Sequence, residues 1–164
     1  MNTSNTAREK VDHTPYIATV VEALRADDTS VLRFEAGVEA SLALRSAAVV
    51  LDPEQWERIY PDAREVVLAW DEVHGWTLGP RWPAITQDAT THGYRPQARP
   101  GTTDATFSHG HEVIPTPAHI ANWVGLHLAG VSVVSRELDA PAGPDMVDLL
   151  LRAFVPAASR SVEQ

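Results

Sequence analysis

The first strong hydrophobic pattern along the chain predicts a helix that begins near residue 14. Thr14 is a typical N-cap, and Pro15 suits the first helical position, where its missing N–H costs nothing. The following apolar residues recur at helical spacing and form one face: Tyr16, Ile17, Val20, Val21 and Leu24. Residues 1–12 before this helix are polar and are expected to form a disordered leader.

Strand-like patterns follow the helix. Residues 31–36 and 40–51 alternate in the way strands do, although the alanine content of the second leaves a helical interpretation open. Gly37 lies between them and is interpreted as a turn or bulge. Residues 52–60 carry the Asp cap, the Pro and the acidic first turn of a short helix.

Residues 66–79 predict a β-hairpin. Two runs rich in β-branched and aromatic residues flank a polar turn that ends at Gly75, where glycine supplies a backbone angle that other residues resist. Trp70 and Trp76 flank the turn and are expected to pack as a cross-strand pair.

The pattern is lost over residues 80–108, which contain four prolines in a polar setting and are expected to form a long loop. Residues 112–114 read as a short strand before a Thr116-Pro117 helix start, and that helix is expected to stop at Gly130. A last helix is expected over 145–154.

Together these elements predict a single α+β domain with a mainly antiparallel sheet and helices packed on one face, since short connections favour antiparallel pairing. The expected organisation is a domain over residues 13–130, a helical extension over 131–155 and a disordered tail over 156–164.

Composition narrows the classes of function. The formal net charge is −9, and all but one of the 13 basic residues are arginines, which are scattered. General nucleic-acid binding is therefore disfavoured, because it usually needs clustered basic residues. The chain has no cysteine, which excludes thiolate chemistry, and no apolar run long enough to span a bilayer. With no secretion signal in the sequence, a cytoplasmic location is expected.

Several motifs in this order resemble a small actinobacterial family known only as a domain of unknown function. The matching residues are Pro15, Tyr16 and Ile17, then Trp70, Asp71, Glu72, Gly75 and Trp76, then Val113, Ile114, Pro115 and Pro117. The resemblance spans residues 13–128 and departs from the family over 80–108 and after Gly130. It implies a small α+β domain and an actinobacterial source, and it brings no catalytic residues.

The sharpest candidate for chemistry is the His109-Gly110-His111 motif. Two histidines one residue apart on a strand project to the same face, so both imidazoles can reach one metal ion. Asp104, Glu112 and His119 are candidates for completing such a site, which would take zinc or another divalent metal. Chance occurrence of so short a motif is the competing explanation.

Two other groups of residues have both a structural and a functional interpretation. Asp71, Glu72 and His74 are either an acid/base cluster or ordinary turn residues, and the turn interpretation is favoured. Trp82 lies among polar residues of the predicted loop and, with Tyr94, is the best candidate for an exposed binding residue.

Nucleophile motifs, phosphate-binding loops and dinucleotide fingerprints are absent from the sequence. The favoured function is therefore a non-enzymatic binding or regulatory module that contacts a protein partner or a second copy of itself, without a cofactor. The alternative is a metal-dependent, hydrolase-like enzyme centred on His109 and His111.

Overall fold

The structure is a computed structural model that describes residues 10–39, 43–82, 107–110, 112–133, 135–138, 140 and 142–156. It contains a five-stranded antiparallel sheet in the order β1-β2-β3-β4-β5, so each strand pairs with its neighbour in sequence. The strands are β1 Val31–Glu39, β2 Leu44–Leu51, β3 Glu65–Asp71, β4 Gly75–Arg81 and β5 Phe107–Ser108. The predicted α+β fold with an antiparallel sheet is confirmed.

Four α-helices accompany the sheet in the described part of the chain: α1 Thr14–Ala26, α2 Pro53–Trp56, α3 Pro117–Leu128 and α4 Pro144–Leu151. A 3-10 turn, Arg152–Phe154, continues from α4. Among these described residues, none of the helices is both long enough and apolar enough to cross a membrane.

One face of the sheet forms the core. Side chains from paired strands form rows across this face. One such row consists of Val49, Leu68 and Leu78, which lie opposite one another in the strand register and are fully buried. Helices α1 and α3 pack on each other, and Tyr16 of α1 contacts the tryptophans of this face. The buried side chains of α4, Val147 and Leu151, belong to the same core.

The opposite face carries an ion-pair group. Glu65 of β3 accepts from Arg33 of β1 at 2.7 Å and lies 3.5 Å from the guanidinium of Arg81 on β4. These long side chains run across the strands of a face that is otherwise lined largely by small residues.

Local sequence signals identify the starts of α2 and α3 correctly. Asp52 caps α2 by accepting from the amide of Glu54 at 3.0 Å, and the side chain of Thr116 caps α3, both as predicted. The first helix differs by one residue, because Thr14 is already helical and His13 occupies the cap position. The amide of Thr14 instead donates to the carboxylate of Asp12, which performs the capping role from outside the helix.

The predicted hairpin is confirmed as β3 and β4. The connection is Glu72 to His74, and Gly75 pairs with Asp71 at a φ of +74°. A three-residue loop followed by a left-handed glycine is a common hairpin form, and it explains the glycine at this position.

Several predicted boundaries are wrong. The first strand continues to Glu39 instead of ending at residue 36, the second begins at Leu44 instead of residue 40, and α2 ends at Trp56 instead of residue 60. Gly37 is not a turn but lies inside β1, paired with Ser46, so sheet pairing overrides the turn preference of glycine. The predicted loop over 80–108 is too wide, because β4 extends to Arg81 and β5 begins at Phe107. Val113 and Ile114 form bends rather than a strand.

Candidate functional site

Three aromatic residues form the centre of the core. The indole of Trp76 donates to the hydroxyl of Tyr16 at 2.9 Å, and that hydroxyl donates to the carbonyl of Pro115 at 2.9 Å. The indole of Trp70 donates to the carbonyl of Val113 at 2.7 Å. Burial raises the pKa of Tyr16 above its ordinary value, which further favours the protonated hydroxyl that donates to Pro115. These groups fix the segment before α3 against the sheet and have a structural role.

His109 follows β5 and is buried, with 2% of its surface exposed. Its amide donates to the carbonyl of Trp76 at 3.0 Å, which positions the ring against α3. There the His109 ring lies 4.9 Å from that of His119 and 5.3 Å from that of Trp123, measured between centroids. The structure thus brings together two of the histidines named as candidate metal ligands.

The remaining candidate ligands are not part of this pair. His111 and Asp104 lie outside the described residues, and Glu112 is exposed. Among the residues that the structure describes, no three side chains of His, Asp or Glu converge in a way that could hold a metal ion.

A third histidine continues this row of rings. His127 of α3 contacts Trp123 and Phe107, with centroids 5.2 Å and 4.7 Å away. Its Nε2 is buried without a hydrogen-bond partner in the described structure. Burial lowers the pKa of His127, so the ring is held neutral and packs as an aromatic residue.

The polar residues of the hairpin turn divide into two groups. The Asp71 carboxylate accepts from the amides of Val73 and His74 at 2.8 Å and 2.7 Å, and it lies 3.0 Å from the His74 ring. Glu72 points away from this pair and is buried. The geometry of Asp71 and His74 is that of a turn stabilised by its own side chains.

Glu72 belongs to a buried ion network that the sequence did not reveal. It accepts from the ammonium of Lys10 at 2.6 Å and from the amide of Arg45 at 3.0 Å. The Arg45 guanidinium, 1% exposed, also pairs with Asp148 of α4. Two cations and two carboxylates balance here, and they tie the N-terminal segment, the sheet and α4 together.

Trp82 follows directly after β4 and is half-buried. Its indole donates to the carbonyl of Pro61 at 3.2 Å, and the ring packs against the edge of the core. Tyr94, its predicted companion, lies outside the described residues. Their role in binding stays a prediction.

The longest exposed feature of the sheet is the outer edge of β1. In the part of the chain that the structure describes, β1 pairs only with β2, so its other edge has no partner strand. Three large apolar side chains are exposed along it: Leu32 at 58%, Phe34 at 38% and Val38 at 57%. Phe34 and Val38 extend the core face outward, since they lie opposite Val49 and Arg45.

A second exposed apolar surface lies on α4. Met146, Leu149 and Leu150 occupy neighbouring positions on the side of the helix turned away from the core. Unlike the β1 edge, this surface has no backbone groups to offer, because those of a helix are bonded internally.

Comparison with known proteins places the chain in a family. The model of a family of unknown function (DUF6292) matches residues 16–125, and the chain belongs to that family. We found no match among curated proteins and none among solved structures.

Proposed function

We propose that this protein is a non-catalytic protein-binding module that works through the exposed edge of β1. The observation that carries the proposal is the combination of a strand edge that pairs with no other described strand and three exposed apolar side chains, Leu32, Phe34 and Val38. A strand edge binds another chain through main-chain hydrogen bonds, while neighbouring apolar side chains add affinity.

The composition of β1 supports this role. Natural edge strands are commonly protected by lysine, proline or very short length. β1 is nine residues long and contains neither lysine nor proline. Its protection is limited to three charged side chains and an irregularity between Val31 and Arg33. We also propose a cytoplasmic location, and an actinobacterial source on the sequence resemblance.

Sedimentation velocity of the protein alone, over a wide range of concentration, tests the proposal. In this experiment a second copy of the chain is the available partner. We expect wild-type protein to shift from monomer to dimer, and Val38→Glu to remain monomeric. Leu149→Glu is the matched control, because Leu149 is exposed to a similar degree, 63% against 57%, on a different surface. A wild-type protein that stays monomeric throughout, or a dimer lost in Leu149→Glu but kept in Val38→Glu, would refute a role for β1.

A metal-dependent enzyme is the second candidate, and the contact between His109 and His119 is the observation that favours it. Two imidazoles are two ligands, whereas catalytic zinc sites use three protein ligands and a water. Zinc titration followed by elemental analysis decides the point. A metal site would hold one zinc per chain, lose it in His119→Ala and keep it in His74→Ala, a histidine of the hairpin turn.

A further inference from the structure

We infer that β1 pairs with β1 of a second copy, antiparallel and about a two-fold axis at Ala36. The inference rests on the proposed binding role of this edge and adds the identity of the partner and the register. A two-fold axis perpendicular to the sheet places one residue opposite its own copy and keeps equivalent side chains on the same face.

The regular part of β1 fixes the length that can pair. The register with β2 shifts between Val31 and Arg33 and is then continuous from Arg33 to Glu39. Ala36 is the midpoint of this continuous stretch. A two-fold axis at Ala36 therefore uses every regular residue of both strands, and any other centre leaves some of them unpaired.

Charge excludes most of the other centres. An axis at Arg33 places two guanidinium groups opposite each other, and an axis at Glu35 places two carboxylates opposite each other. An axis at Gly37 sets Glu35 against Glu39 of the second copy twice. Like charges directly opposite one another destabilise a strand pair.

The axis at Ala36 satisfies both faces of the sheet. On one face, Arg33 lies opposite Glu39 of the second copy, and the two-fold axis repeats the pair. On the core face, Phe34 lies opposite Val38 of the second copy, also twice. Cross-strand pairs of opposite charge, and of an aromatic with a β-branched residue, each stabilise a sheet.

Two competing registers survive the charge test, and one of them, an axis at Val38, sets only residues 37–39 of the regular stretch opposite each other. An axis at Phe34 pairs Arg33 with Glu35 of the second copy, and it stacks Phe34 on its own copy. The Phe34 register uses less of the regular stretch, and it sets Val38 opposite Ser30, which lies outside β1 of the second copy. The Ala36 register is favoured because it covers both exposed side chains of the core face, Phe34 and Val38.

Disulfide cross-linking distinguishes the Ala36 register from the Phe34 register. Because the chain has no native cysteine, only the introduced thiols can form the bond. Directly opposed residues of an antiparallel pair lie about 4.5–5.5 Å apart between Cα atoms, within the range that a disulfide spans. Ala36→Cys should therefore form a covalent dimer under mild oxidation. So should the double variant Phe34→Cys/Val38→Cys.

Phe34→Cys alone is the matched control. In the Ala36 register its two copies are offset by four residues along the strands, roughly 13 Å, which is too far for a disulfide. We expect it to cross-link at least about tenfold more slowly than Ala36→Cys, given the same distance limit.

Each outcome has one meaning. Efficient cross-linking of Phe34→Cys alone would overturn the Ala36 register. If none of the cysteine variants forms a covalent dimer, but wild-type protein dimerises and Val38→Glu does not, two-fold pairing is overturned and the binding role of β1 is retained. A wild-type protein that never dimerises would overturn both the register and the proposed function.

Discussion

Replacing Gly110 with alanine should destabilise the fold sharply, because this glycine meets two constraints at once. Its φ is +63°, a left-handed angle that costs a residue with a Cβ about 1–2 kcal/mol. An added Cβ would also overlap the backbone carbonyl of Arg136. Neither constraint can be relieved by a flexible side chain, since both involve the backbone.

The loss can be estimated from the contacts beside Gly110. The amide of Arg136 donates to the carbonyl of Ser108 at 3.0 Å, and the amide of Ser108 donates to the hydroxyl of Ser135 at 2.9 Å. Moving the Arg136 carbonyl aside weakens these bonds, which contribute about 1 kcal/mol each. With the backbone strain, the expected loss in the free energy of unfolding is about 3–4 kcal/mol.

Urea unfolding followed by tryptophan fluorescence measures this loss, with all variants at one low protein concentration so that association does not contribute. Gly37→Ala is the matched control, because an added Cβ there meets nothing within 4 Å and the residue lies in an ordinary strand. We expect the control to be neutral or slightly stabilising. If the free energy of unfolding of Gly110→Ala lies within about 0.5 kcal/mol of the wild-type value, the close packing of Gly110 against Arg136 is refuted.

Two further predictions concern buried charged and titratable groups. Asp148→Ala removes one of the two carboxylates that pair with the buried Arg45 guanidinium and should cost about 3 kcal/mol, whereas the exposed Met146→Ala on the same helix should cost little; equal urea midpoints for the two variants would contradict this. Because burial lowers the pKa of His127 below its ordinary 6.5, the unfolded chain binds the proton more readily, and stability should fall as the pH drops below that value. In His127→Leu, the urea midpoint should therefore fall less between pH 7.5 and pH 5.5 than it does in the wild type. An equal fall in the two proteins would refute the claim that His127 contributes to this pH dependence.

The elements that were predicted correctly depend on local signals. The hairpin follows from its turn residues and Gly75, and the caps at Asp52 and Thr116 follow from side chains that bond amides two or three residues away. Such contacts are encoded within a few residues, so a single sequence is enough to find them.

The elements that were missed depend on distant partners. Gly37 is held in a strand by its pairing with Ser46, and Val113 is bent because its carbonyl serves the indole of Trp70. A β-branched pair such as Val113-Ile114 looks like a strand locally. Only the tertiary contact shows that its backbone is used elsewhere.

The candidate site was less predictable than the fold. Alternation in residues 31–36 indicates a strand, but it does not say whether that strand lies at an edge or in the centre of a sheet. That distinction depends on the order in which all strands pair. The buried pairs of Arg45 with Glu72 and Asp148 likewise join residues 27 and 103 positions apart.

Hydrogen–deuterium exchange at low and high protein concentration tests the central claim most directly, because it reports on the backbone of the β1 edge itself. The proposal predicts that the amides of residues 33–39 that point away from β2 gain protection as the concentration rises, while those of α4 do not change and Val38→Glu shows no gain. Exchange in β1 that is independent of concentration, in a protein that nevertheless dimerises, would contradict it.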